Sequence, residues 1–452
     1  MNILCHVGPW CVDQFRTIAA GFDPGATIRI FSCFRKLDET GLVDAYYKYL
    51  DTEKEQFISD PRDNEVIKRC RLLRALPYQK SNLHVFAMRL AVREMLLRER
   101  PDVVICESTD QYLHDLLFQE SRSLNIPSYG LIRSFVNNHF RISTRGELQK
   151  VRIPQEDEVT EILHKLTDEQ YIPQNLVELK RSLALTYFRI YLSNHARLIY
   201  FSALRFFSGE LYNYHYWSTI QTVKNEYLHI IPRISLGDLN WKRKIAESNR
   251  LVIFIPLQHF PEATVDYWSE NIEMIEYLKR LIELINELGK EFSILIKEHP
   301  GVWGFRKPSF YRAIEKTSSS VIICPTEVAA QECIAAADAV LVWTGSVGFE
   351  AALRGKPVLT TCSPYYASGA RYKQISIKTG NNEVRDFIQQ VKATRISIDE
   401  QRAMISHLLK GLLPGNFKNN GTFDSLNFDD IAEAKRLGEK LREVHDFRYL
   451  SL

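Results

Sequence analysis

Phe292-Ser293-Ile294-Leu295-Ile296, running into Lys297-Glu298-His299-Pro300, decides how this chain is read. The pattern recurs downstream, where Ala339-Val340-Leu341-Val342-Trp343 runs into Thr344-Gly345-Ser346-Val347-Gly348-Phe349-Glu350. Each apolar run has strand length and strand-favouring residues. The polar residues therefore sit where two neighbouring strands end. In an open parallel α/β sheet, ligands bind in the crevice outside the strand carboxyl ends. Gly345 and Gly348 let backbone come close to a ligand. Ser346 to Leu353 reads as a helix N-terminus, whose amides suit an anion. The stretch predicts a phosphate-bearing ligand between His299 and the Thr344-Gly345-Ser346 turn.

The same alternation extends around it. Leu251 to Leu257 opens the second half as a strand, and Glu270 to Leu288 reads as a helix stopped by Gly289. Strands follow at Val321 to Cys324 and Val358 to Thr361, with helices between. The first half alternates too. Strands fall at Ile3 to Val7, Thr27 to Phe34, Val103 to Cys106 and Ser128 to Ile132. The segments Asn82 to Arg100 and Gln111 to Leu124 read as helices. Strand–helix–strand alternation argues for parallel sheets with helices on both faces. The boundaries read as 1–150 for an N-terminal Rossmann-like domain and 151–245 for a helical insertion or linker. A C-terminal Rossmann-like domain spans 246–380, and helices of 381–452 pack back across the domains. The insertion is densest in aromatic and basic residues over Lys180 to Trp217. Two readings are open there: a basic amphipathic surface for a membrane or an anionic acceptor, or aromatics packed on the first domain.

Bulk properties bound the rest. A chain of 452 residues has room for two domains of ordinary size. Its 58 basic and 55 acidic side chains leave a net charge of only +3, which gives no case for a nucleic-acid partner. Eight cysteines are scattered with no CxxC pair, as expected of free thiols in a reducing compartment, and no metal is expected. Met1-Asn2-Ile3-Leu4-Cys5 is strand-like rather than a basic leader. No apolar run reaches the ~18 residues of a membrane span. The expected location is the cytoplasm, soluble or peripheral on the inner face of the plasma membrane. P-loop, GxGxxG, HExxH and GxSxG patterns are all missing.

Several further residues fall at strand ends. Gln258 and His259 follow the strand that opens the second half. Imidazole at His299 can donate to a phosphate oxygen, neutral or charged. Glu350 can accept the two hydroxyls of a ribose, or complement the helix N-terminus. Arg306 and Lys307 lie in the loop after His299, where cations could reach a pyrophosphate or a sugar carboxylate. In the first half, Glu107 and Asp110 end a strand. A carboxylate there can act as general base or nucleophile, or be a solvated turn acid, with Asp110 alternatively a helix N-cap. His6, Gly8 and Arg133 stand at strand ends as substrate contacts, and His139, Arg141 and Arg145 are weaker candidates.

The second-half motifs, with Gly304, Arg306, Ala336-Ala337-Asp338-Ala339-Val340 and Gly355-Lys356-Pro357-Val358, resemble the C-terminal half of bacterial capsule polysaccharide biosynthesis proteins. Leu257-Gln258-His259-Phe260-Pro261-Glu262 resembles the Gln-containing motif that opens that half. Pro101 to Glu107, with Asn125-Ile126-Pro127, resembles the N-terminal half. The resemblance covers roughly Leu251 to Pro364, is weaker before Gly146, and is absent over Glu156 to His229. It implies a GT-B fold, two Rossmann-like domains facing across a cleft, here with a helical insertion. It implies a metal-independent glycosyltransferase moving a sugar from a nucleotide donor to a surface or capsular glycan or glycolipid acceptor. The His-Pro motif with its Ser/Thr turn is similar to that of transferases using CMP-activated acidic sugars such as Kdo, so the co-substrate would be CMP- or UDP-linked, with no other cofactor. By that similarity Gln258, Lys297, Glu298, His299, Pro300, Arg306, Thr344, Gly345, Ser346 and Glu350 would hold the donor. His299 and Ser346 would take the phosphate and Glu350 the ribose. Glu107, with Asp110, would be catalytic, and His6, Gly8 and Arg133 would face the acceptor. A polysaccharide assembly complex or the inner-membrane surface would be the larger partner. A nucleotide-sugar 2-epimerase, a polyol-phosphate transferase and a non-catalytic assembly or export protein remain as alternatives.

Overall fold

The computed structural model describes residues 1–8, 12–52, 60–168, 171, 183–218, 220, 237–259, 262–299, 306, 308–417 and 428–450. The chain forms two compact units. One comprises Met1–Ile153, Leu198–Ile220 and Lys410–Leu452, and the other Pro154–Arg197 and Gln221–Leu409. The division runs differently from the boundaries read in the sequence. The insertion is shared between the units, and the tail parts at Lys410. The helix Glu156–Thr167 belongs to the second unit, where Arg402 bonds Thr160 Oγ1 at 3.0 Å and pairs with Glu156 at 2.5 Å.

The first unit holds a six-stranded sheet. Its strands are β1 (Asn2–His6), β2 (Thr27–Phe31), β3 (Val103–Glu107), β4 (Ser128–Arg133), β5 (His139–Ile142) and β12 (Leu412–Pro414). Their order across the sheet is β12-β5-β4-β3-β1-β2. β1 runs parallel to β2 and β3, and β3 to β4, whereas β5 is antiparallel to both β4 and β12. Successive side chains of a strand point to opposite faces. Leu4, Phe31, Val104 and Cys106 accordingly enter one core. Ile3, Cys5, Ile30, Val103 and Ile105 enter the other. The helices Tyr78–Glu99 and Tyr112–Ser123 cover the first face, and Val12–Phe22 with Phe428–Leu450 the second. Sequence patterning misses β5 and β12, because each is short and carries polar or proline residues. Arg141, read as a site candidate, sits in β5 with no exposed surface, and its Nη1 donates to the carbonyls of Gly146 and Glu147. It clamps a loop. Arg145 is likewise committed, to Asp115 and Glu65.

The second unit is a wholly parallel sheet, ordered β11-β10-β9-β6-β7-β8. Its strands are β6 (Val252–Pro256), β7 (Ser293–Lys297), β8 (Val321–Cys324), β9 (Ala339–Val342), β10 (Val358–Thr360) and β11 (Tyr372–Gln374). Both faces are covered, so the strands are nearly continuous apolar runs. Ile253, Ile255, Ile294, Ile296 and Leu341 fill one core, while Phe254, Leu295 and Val340, pointing the other way, are buried as well. The helix read over Glu270 to Leu288 is broken in two. Asn271 accepts the amide of Glu273 at 2.9 Å and caps a short 3-10 turn, Ile272–Ile275, before the helix Tyr277–Leu288 begins.

The seven described cysteines that are unpaired by disulfide include Cys324 and Cys333, whose sulfurs lie 3.6 Å apart. Helix Phe428–Leu450 packs on Val12–Phe22 through glycines. A Cβ on Gly21 would meet Lys435 O at 2.2 Å, and one on Gly438 would meet Ile18 O at 2.0 Å. Gly438→Ala is expected to destabilise the first unit by about 1–3 kcal/mol through overpacking, read as a lowered urea midpoint. Gly380→Ala, where a Cβ meets nothing within 4 Å, serves as the control and should leave that midpoint unchanged.

Candidate functional site

The topology of the second unit fixes where its polar residues gather. β6 is flanked by β7 on one side and by β9 on the other. The chain proceeds from β6 outward to β8, then returns across β6 to β9. This reversal makes the crevice at the carboxyl ends of β6 and β9 a topological switch point. Gln258 follows β6, and Thr344-Gly345 follow β9. A Cβ on Gly345 would lie 3.3 Å from Gln258 Oε1, so this glycine lets the two strand ends close up. Gln258 Nε2 donates to Thr264 Oγ1 at 3.1 Å, and Thr264 Oγ1 donates to Glu262 at 2.6 Å. Thr344 Oγ1 donates to the Thr264 carbonyl at 3.4 Å.

One strand further, β7 ends in Lys297, Glu298 and His299. Glu298 is 7 % exposed and Arg306 3 %. Arg306 Nε donates to Glu298 Oε2 at 2.8 Å, and its Nη2 donates to the Gln258 carbonyl. Tyr311 donates to the same carboxylate, and Glu298 Oε1 accepts the His299 amide at 2.7 Å. The guanidinium lies 5.5 Å from the Tyr277 ring centroid and 5.6 Å from that of Phe310. Burial works against its charge, but Glu298 more than offsets this and its pKa is raised. Read in the sequence as a loop cation for a pyrophosphate or a sugar carboxylate, Arg306 is instead an internal tie between the ends of β6 and β7. Lys297 is also turned inward. Its Nζ donates to the Glu298 carbonyl at 3.3 Å, and burial lowers its pKa beside the Cys324 and Cys333 thiols.

His299 stands at the crevice with its ring edge-on to His259, centroids 5.4 Å apart. Burial, then the nearby His259, Lys297 and Arg306, push its pKa down to about 3. It is therefore a neutral imidazole at pH 7. Glu350 lies on the helix Val347–Leu353, where Gln331 Nε2 donates to it at 3.3 Å. Burial raises its carboxyl pKa, opposed by Arg354. The helix offers fewer amides than the sequence suggests. Those of Gly348, Phe349 and Glu350 are already given to the Gly345 and Ser346 carbonyls. Gly348 is required for a different reason: a Cβ there would meet Tyr366 Oη at 2.7 Å and Val342 Cγ2 at 2.8 Å. Tyr366 in turn donates to the Gly345 carbonyl at 2.5 Å. Pro300, Gly304 and Lys307 lie outside the described residues, as do Phe260 and Pro261.

The first unit has its own switch point, between β1 and β3. His6 ends β1, with Gly8 beyond it, and Glu107 ends β3; Arg133 ends the next strand, β4. Asp110 pairs with Arg71 at 3.0 Å. Sequence reasoning misses what surrounds His6. His114 Nε2 lies 3.0 Å from His6 Nδ1, and Gln111 Nε2 lies 3.4 Å from His215 Nε2. The Asp110 amide donates to His114 Nδ1 at 3.4 Å. An amide can only donate, so neutral His114 carries its proton on Nε2 and gives it to His6 Nδ1. His6 is left protonated on Nε2. Burial holds all three histidines down, His114 and His215 to about 3 and His6 well below its usual value. The only local signal was the Asp110 to His114 spacing across a helix start.

Residues 191–385 match the family model described as capsule polysaccharide biosynthesis protein, the family the strand-end motifs resemble. No curated protein matches the chain significantly. Among solved structures, the chain is similar to a beta Kdo 2,7 transferase of KpsC from Thermosulfurimonas dismutans, at 12% identity over 98% of this chain and 100% of that one, with a TM-score of 0.39. It is similar to a beta Kdo 2,4 transferase of the same KpsC at 14% identity, over 75% and 87% of the two chains, with a TM-score of 0.33. A UDP-GlcNAc 2-epimerase from Neisseria meningitidis bound to UDP-GlcNAc matches at 13% identity, over 99% and 100%, with a TM-score of 0.28.

Two outcomes follow from the electrostatics. Glu298→Gln leaves Arg306 charged and buried without its partner, and should destabilise the second unit by about 3–5 kcal/mol, measured by urea unfolding. Acid should also weaken the fold. The buried histidines fall from 6.5 to about 3 in the folded chain, so the unfolded chain binds protons first. The stability they contribute is full above pH 6.5 and drains below it, by up to about 1.4 kcal/mol per pH unit for each. An identical urea midpoint at about pH 7 and about pH 5 would contradict this.

Proposed function

We propose that this chain, which carries the capsule polysaccharide biosynthesis signature over residues 191–385, is a glycosyltransferase moving a sugar from a nucleotide donor to a glycan or glycolipid acceptor. The observation that carries the reading is the switch point of the second unit. There Gln258, His299 and the Thr344-Gly345-Ser346 turn meet at the adjacent carboxyl ends of β6, β7 and β9.

The roles follow from the chemistry of each group. Neutral His299 donates an N–H to a donor phosphate oxygen. Gly345 and Ser346 bring backbone close to the same group, and Gln258 offers an amide beside them. Glu350 accepts from a ribose hydroxyl when its carboxyl is ionised. Arg306, Glu298 and Lys297 act behind these groups by fixing the strand ends. Glu107 is the general base or nucleophile of the transfer, with Asp110, which pairs with Arg71, as the second carboxylate. His6, Gly8 and Arg133 serve the acceptor side. An acidic sugar such as Kdo is the proposed cargo, and no metal is required for departure of the nucleotide.

A thermal-shift panel of CMP, UDP and GDP tests the donor site. A nucleotide at one hundred times its dissociation constant adds about 2.7 kcal/mol of apparent stability. One of the three is expected to raise the melting temperature of the wild type and not of His299→Ala. No shift with any of them would sink the reading. Transfer should persist in excess chelator, and loss of activity there would remove the metal-independent part. Release of an epimerised sugar nucleotide from donor alone would replace the transferase with an epimerase.

A further inference from the structure

Cys324 closes β8, and Cys333 sits in the helix Ala330–Ala336 that follows. Their sulfurs meet at 3.6 Å. By contrast, Cys5 and Cys362 are each spent on a backbone carbonyl, that of Phe15 at 3.8 Å and that of Trp343 at 2.9 Å. A disulfide holds its sulfurs about 2.0 Å apart, a distance that small side-chain rotations at Cys324 and Cys333 can close. Lys297 stands beside the pair, since its Cα is the partner of that of Cys324 across β7 and β8. Its amine is turned inward and interacts with both thiols. A cation next to a cysteine favours the thiolate, which is the form that attacks an oxidant.

Both thiols are buried, but the chain between them runs at the surface, where Glu327, Ala329 and Glu332 are exposed. Local opening of such a connection costs less than global unfolding and admits a small oxidant. The same connection carries Gln331, whose Nε2 donates to Glu350 at 3.3 Å. Drawing the two sulfurs together fastens both ends of the connection and shifts the segment that holds Glu350. We propose that Cys324 and Cys333 form a reversible dithiol–disulfide couple, closed by hydrogen peroxide, that resets the Gln331–Glu350 contact. One thiolate attacks a peroxide oxygen and breaks the O–O bond. The departing hydroxide takes up the proton that this thiol gave and leaves as water. The second sulfur then displaces the hydroxyl of the sulfenic acid, which departs with the second thiol proton as another water. Two electrons pass from the sulfurs to the peroxide, and an added thiol reverses the bond by exchange. On the reading of Glu350 as a ribose contact, made above, the disulfide form is the weaker nucleotide binder.

The test is titration of the reduced full chain with hydrogen peroxide, followed by thiol counting in denaturant and non-reducing peptide mapping. Loss of two of the eight thiols is expected, with Cys324 and Cys333 in one linked peptide and both thiols restored by dithiothreitol. Cys324→Ala and Cys333→Ala, made separately, should each abolish the linked peptide, and Cys362→Ala should keep it. Hydrogen exchange in the peptides that contain Gln331 and Glu350 should differ by at least about twofold between the reduced and bridged forms. No linked peptide, a different cysteine pair, or a bridge that leaves this exchange unaltered overturns the proposal. The nucleotide thermal shift, measured on both forms, separates this couple from the donor site. A shift that shrinks on oxidation supports regulation of the site, and an equal shift in both forms removes it. No shift in the reduced form counts against the donor site itself, and the mapping and exchange still decide the couple.

Discussion

A strand buried on both faces has no place for a polar side chain until it ends. That constraint arranges the second unit. β6 and β9 are apolar through their length and β7 is apolar between Ser293 and Lys297, so Gln258, Glu298-His299 and Thr344-Gly345 fall beyond the strand ends. Gathering charge at that edge has its own cost, since Glu298 and Arg306 are almost wholly out of water. The ion pair, with hydrogen bonds from Tyr311 and to the Gln258 carbonyl, holds β6 and β7 in fixed relation. A buried pair of this kind adds little net stability, but breaking it is costly. Its value here is geometric.

The same economy shapes the histidines. His6 and His299 lie at strand carboxyl ends, shielded from water and held neutral, and His114 reaches His6 from the helix Tyr112–Ser123. A neutral imidazole is a directional donor without a charge to solvate. The relay from the Asp110 amide through His114 fixes which nitrogen of His6 carries the proton. At the other sheet, the Glu298 carboxylate holds the His299 amide. In each unit a neighbouring polar group orients the histidine or its backbone.

The alternation of strands and helices was legible because fully buried strands are apolar runs punctuated by polar strand ends. Local sequence also located Gln258, His299 and the Thr344-Gly345-Ser346 turn. What it could not show were partners distant in the chain. Arg306 looks like a loop cation until Glu298 and the Tyr277 and Phe310 rings are seen around it. Arg141 looks like a cleft residue until β5 is recognised, and β5 makes sense only with β12 beside it. His215 reaches Gln111 from the inserted segment. The aromatic helix was legible as a composition but not as two sides. Phe201 is core and Phe206 is bare, and only the packing of the first unit separates them.

The edge formed by β12 has a consequence for how the protein is made. β12 and the helix Phe428–Leu450 complete the first unit, while every segment of the second unit precedes Lys410. On the ribosome, the N-terminal sheet therefore emerges first and finishes last. The second unit can close while β5 still presents an unpaired edge and Val12–Phe22 still lacks its cover. Closing so long a loop adds little to the final free energy but delays the nascent chain in an adhesive form. Until β12 and the helix Phe428–Leu450 emerge, the older half of the molecule keeps this sheet edge and helix face uncovered.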